Sequence, residues 1–193
     1  MNLVRSSLLA AVTAAAVLAP AAAYADAAVT SDPTGDVLVY SGDSETPTKD
    51  PSVTQGDIVS SAVDYGPRRV TLAVHFRDLA MSGDGFYSVF RIRTNEGRLR
   101  EVDLFAGPGQ WSGTTETVNA RHDKVRCRGV RHNIYYTANL ARISIPSRCL
   151  SRPRWVETAI GAVDIKDPKF FVDDANTDGK VYDEPVWGTR VYR

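Results

Sequence analysis

The 193 residues carry 23 Lys or Arg against 23 Asp or Glu, and 43% of them are hydrophobic. That is enough chain for one domain with a real core. The balanced charge excludes the strongly basic surface of a nucleic-acid binder, so no nucleic-acid partner is expected.

Arg5 precedes an apolar and small-residue run over 7–20, and Ala23-Tyr24-Ala25 follows. A positive start, a short apolar stretch and a small-x-small site predict a secretory signal peptide over 1–25. The run reaches Pro20 too early to span a bilayer. Removal after Ala25 leaves residues 26–193 as a single secreted domain, expected to be monomeric and to touch no membrane. Asp32, Asp36 and Asp57 form an acidic group near its start. Such residues either tie loops by accepting backbone N–H bonds or hold an ion. Residues 41–56 are polar with two prolines and read as a long loop.

From there short alternating runs recur, with no sustained helical period. Residues 57–64 and 69–77 flank Tyr65-Gly-Pro-Arg68, a hairpin turn, with Val70, Leu72, Val74 and Phe76 on one face. Further strands are predicted at 86–93, 98–105, 115–119, 124–130, 134–138, 141–146, 154–163 and 186–192. This pattern predicts an all-β antiparallel sandwich, with jelly-roll and immunoglobulin-like topologies both open.

Residues 91–154 hold 13 Arg or Lys against five Asp or Glu. A four-residue loop at Thr94–Gly97 would set Arg93 opposite Arg98 and Arg91 opposite Arg100, all four on one face. They would then be paired with carboxylates or used as an anion site. Trp111, in the turn-rich Gly107-Pro-Gly-Gln-Trp-Ser-Gly113, is the candidate platform for a sugar ring. One of Tyr135 and Tyr136 should face out, whereas Trp155 and Trp187 read as core. Cys127 and Cys149 are the only cysteines. In an exported chain they predict one disulfide, and His122 and His132 beside them complete no zinc pattern.

Asp174-Ala-Asn176-Thr-Asp178-Gly179-Lys-Val181 matches the first half of a calcium loop, with oxygen donors at alternate positions and a glycine for the turn. The twelfth position, where a bidentate carboxylate belongs, is Pro185. Calcium on Asp174, Asn176 and Asp178 therefore stands beside an Asx-turn as the two readings.

Asp32-Pro-Thr-Gly-Asp36-Val, Gly56-Asp57-Ile and Arg69-Val-Thr-Leu-Ala-Val-His-Phe-Arg-Asp-Leu79 together resemble the opening of CBM9-like or DOMON-like extracellular β-sandwiches. Ile145-Pro-Ser-Arg-Cys149-Leu-Ser-Arg-Pro-Arg-Trp155-Val is similar to a phrase in small secreted actinobacterial proteins of unknown function. The resemblance implies a sandwich and no catalytic residues. No Gly-x-Ser-x-Gly, His-Glu-x-x-His or phosphate loop occurs, so a catalytic role is not favoured. The expected role is binding of an extracellular or cell-envelope carbohydrate or anionic polymer, with a protein-interaction module such as an enzyme inhibitor as the alternative.

Overall fold

The computed structural model describes residues 26–42 and 46–193. The predicted signal peptide, and residues 43–45 of the predicted loop, lie outside the described residues. Two antiparallel sheets face each other. The first is ordered β1 (Asp26–Ser31), β4 (Ile58–Tyr65), β5 (Arg69–Phe76), β10 (Leu140–Pro146) and β9 (Arg131–Tyr135). The second runs β3 (Thr48–Lys49), β2 (Leu38–Ser41), β12 (Lys169–Asp174), β11 (Trp155–Lys166), β6 (Gly85–Thr94), β7 (Leu99–Ala106) and β8 (Thr114–Asn119). β13 (Val191–Tyr192) adds to β11.

The core lies between the sheets. Val70, Leu72, Val74 and Phe76 are buried as the alternation requires, while Thr71 and Ala73 are half-buried and His75 is exposed. Phe76 meets Phe86 across the sheets edge to face, with ring centroids 5.3 Å apart. Ile143 and Ile145 on β10, Phe90 and Ile92 on β6, and Leu104 on β7 complete the apolar layer.

The chain crosses between the sheets repeatedly. Residues 32–37 carry it from β1 to β2, and residues 50–57 carry it back from β3 to β4. Those two crossings meet at one end of the sandwich. At the other end Cys127, between β8 and β9, is bonded to Cys149, in a 3-10 turn between β10 and β11, with Cα atoms 5.7 Å apart. The disulfide closes a 22-residue separation.

Three expectations are corrected. The polar stretch 41–56 contains β3, and residues 124–130 form only an isolated bridge, Val118 to Lys124. The hairpin after β6 has a tighter loop than predicted: the Thr94 N–H donates to the Arg98 carbonyl at 3.0 Å, and Gly97 is left-handed. This three-residue connection with a glycine bulge pairs Arg93 with Leu99 and Arg91 with Glu101. A one-residue change of register turns every side chain over, so the four guanidiniums do not share a face.

Candidate metal centre

The crossing at residues 32–36 is shaped by Pro33 and by Gly35, whose φ of 76° is left-handed. It places Asp32 and Asp36 inside the sandwich, 8% and 0% exposed. The returning crossing buries Asp57 completely, and its Oδ2 accepts the Gly35 N–H at 2.9 Å, joining the two crossings. Arg77 approaches the same oxygen at 3.5 Å. Asp173 comes from the second sheet. Its Oδ2 accepts the Ile58 N–H of the first sheet at 2.6 Å, and its Oδ1 accepts the Asp174 N–H at 2.9 Å.

One oxygen each from Asp32, Asp36 and Asp173 lies within 4.8 Å of the others. Two oxygens on one calcium, each bonded at about 2.4 Å, stand no farther apart than that. Both oxygens of Asp32, both of Asp36 and Oδ1 of Asp57 are buried without a hydrogen-bond partner. A buried carboxylate that accepts nothing is strongly unfavourable, so the arrangement calls for a cation or for protons. Burial, reinforced by Asp173, Asp36 and Asp57, pushes the Asp32 carboxyl up to about 8. Burial pushes Asp173 to about 8 as well, against its backbone hydrogen bond from Ile58 and with the charges of Asp36 and Asp57 adding to the rise. Asp36 is raised for the same first reason. The donor set is all oxygen and carries up to three negative charges, with Asp57 a further charge beside it. It fits a hard divalent ion, calcium above all, and not a thiolate- or imidazole-seeking metal.

The Asp174–Val181 loop is built differently from its sequence pattern. The Asp178 carboxylate pairs with Lys49 at 3.4 Å, and the Asn176 amide donates to the Val186 carbonyl at 3.3 Å. Asp174 and Asn176 line a cavity of about 260 Å³ together with Arg91 and Tyr182. Thr177 closes the turn by bonding the Asp174 carbonyl through its N–H and its hydroxyl. Gly179 connects this loop to the centre, because a Cβ there would lie 2.4 Å from the Asp36 carbonyl oxygen. The calcium-like pattern thus borders the converging carboxylates through its glycine. Asp173, one residue before the pattern begins, is the member that sequence reasoning missed. It sits in an alternating strand, and only its inward direction marks it.

The arginine hairpin is charge-paired. Arg91 Nε donates to Glu101 at 2.6 Å, and Arg93 pairs with the buried Glu157, which also accepts from Arg190 at 2.9 Å. Arg98 is exposed in the loop, and Arg100 donates to the Leu99 carbonyl. Trp111 is half-buried edge-on against Tyr136, whose hydroxyl donates to the Trp111 carbonyl at 2.7 Å, leaving Tyr135 as the outward tyrosine. Trp155 and Trp187, expected in the core, are half-buried instead beneath Arg190 and Arg93, each guanidinium 4.5 Å from the ring centroid.

No protein-family model, curated protein or solved structure matches this chain.

Proposed function

We propose that the chain is a secreted, non-catalytic binding module whose two sheets are locked together by a calcium ion on Asp32, Asp36 and Asp173. Its ligand is an extracellular or cell-envelope carbohydrate or anionic polymer. The observation that carries this reading is that Asp32 and Asp36, whose buried carboxylate oxygens accept no hydrogen bond, converge on Asp173 of the second sheet. Calcium gives them the partner that the protein withholds, and it neutralises charge that otherwise strains the sandwich. Calcium abounds outside cells, where modules with modest affinity remain loaded. The disulfide is compatible with the same oxidising setting. The phrases that resemble CBM9-like and DOMON-like sandwiches include the two crossings that deliver Asp32, Asp36 and Asp57.

Two measurements test the reading. Elemental analysis of protein dialysed against millimolar calcium, corrected for the free ion in the dialysate, should find one calcium per chain, and Asp36→Asn should find none. Pull-down from cell-wall material and culture medium with calcium-loaded protein should recover a polymer. Recovery of a single protein partner instead would favour an interaction module, and an absence of bound calcium would remove the lock.

A further inference from the structure

The end of the sandwich opposite the carboxylates carries a cleft of about 560 Å³. Asp57 immediately precedes β4 and Tyr65 ends it, so the two places are separated by the length of that strand, about 25 Å. We propose that this cleft binds an anionic sugar ring, carboxylated or sulfated, within an acidic extracellular polysaccharide.

Pro67, Pro153 and Tyr192 give the cleft an apolar lining against which the C–H face of a sugar ring can lie. Tyr192 is 49% exposed, a large aromatic surface left open to solvent. Arg152, Arg154 and Arg193, all exposed, line the same cleft. Among the described residues the arginine ion pairs engage Arg77, Arg91, Arg93 and Arg190, and none involves these three. Three forks that match carboxylate or sulfate oxygens therefore share one cleft with apolar side chains, a combination that selects charge and ring together.

The backbone beneath is held in place. The buried Tyr65 hydroxyl donates to the Pro153 carbonyl at 2.6 Å. The Arg154 N–H donates to Asn95 Oδ1 at 2.7 Å, and the Arg193 N–H donates to the Arg154 carbonyl at 3.0 Å. Ser151 and Arg152 both adopt left-handed φ, 66° and 53°, which non-glycine residues hold only when their surroundings impose it. The disulfide at Cys149 anchors the turn that enters this segment. Beyond the cleft, Arg69, Arg131 and Arg148 lie close together and extend the positive surface, which suits a polymer better than a single sugar. Two acidic residues also stand at this end: Asp26, whose Oδ2 accepts the Tyr192 N–H at 3.3 Å, and Glu96, on the neighbouring hairpin near Tyr65.

This assignment rests on the reading of the chain as a binding module and not on calcium. Titration calorimetry on the calcium-loaded protein at low ionic strength would use tetragalacturonate, a sulfated dextran oligomer, neutral maltotetraose and a glutamate tetrapeptide. Binding of either anionic sugar, with none of maltotetraose and at least tenfold weaker binding of the peptide, is expected. Arg152→Gln with Arg154→Gln should weaken that binding roughly tenfold or more without moving the melting temperature, since both side chains are exposed. Tyr192→Ala should weaken the sugars and leave the peptide unchanged. Equal binding of the peptide, or sugar binding indifferent to the arginine variants, would overturn the proposal. Preference between the carboxylated and the sulfated oligomer identifies the anion. If calcium stabilises the protein while no oligomer binds, the cleft fails and the calcium lock stands.

Discussion

Asp36 has no exposed surface, and neither of its carboxylate oxygens accepts a hydrogen bond. Asp36→Asn removes a buried like charge while keeping the shape. Thermal denaturation should therefore show a cation-free protein more stable than the parent at pH 8, and one that calcium no longer stabilises. Gly179 acts on the same residue from outside. At its left-handed φ of 62°, an added Cβ meets the Asp36 carbonyl at 2.4 Å. Gly179→Ala should cost about 2 kcal/mol in urea unfolding and weaken calcium binding as well. The glycine was legible as a turn, but its second task was not, because which backbone it faces is decided by a partner more than a hundred residues away. Glu157 shows the opposite electrostatic sign. Burial alone would raise its carboxyl, yet Arg93 and Arg190 outweigh burial and hold it below the usual range. Its contribution is present above the ordinary carboxylate range and is lost as pH falls through the lowered value. Glu157→Gln should therefore destabilise the protein at pH 7 and progressively less as the pH drops below 4, followed by denaturant midpoints.

At the scale of elements, the strands from β4 to β8, with β10 and β11, were readable from short runs bounded by turn residues, most cleanly in β5 from Val70 to Phe76. The strands β1, β2, β3 and β12 were not. Thr48–Lys49 is too short, and Asp26–Ser31 too irregular in its pattern, to announce a strand, and they pair with the open edges of β2 and β4. The β6–β7 hairpin shows how finely loop length governs outcome. Gly97 favours the left-handed bulge position, the loop loses one residue, and Arg91 exchanges an expected arginine neighbour for Glu101. The cysteine pairing was legible from number and compartment alone. Its place was not: the bridge ties together two connections between the sheets at the end opposite the acidic crossings. Cys127→Ser with Cys149→Ser should lower unfolding free energy by about 3 kcal/mol, measured by urea denaturation.

For the whole molecule, the two sheets are fastened at both ends, covalently at one and through converging carboxylates at the other. The first fastening is a property of the chain, whereas the second depends on its surroundings. Asp32 and Asp173 rise from 3.8 to about 8 on folding. Between those values the unfolded chain has released protons that the folded, cation-free protein retains, so stability falls as pH climbs from about 4 to about 8. On the proposed reading calcium replaces those protons, and its stabilisation should grow over the same interval. The sequence set Asp32, Asp36 and Asp57 together as loop ties or ion ligands, but not Asp173, which reaches them from the second sheet only through the fold. Melting temperature between pH 5 and pH 8.5, with millimolar calcium or excess chelator, tests this directly. At saturating calcium the difference should be about 5 °C or more at pH 8, shrink toward pH 5, and vanish in Asp36→Asn. Identical melting curves with calcium and chelator at pH 8 would contradict the account.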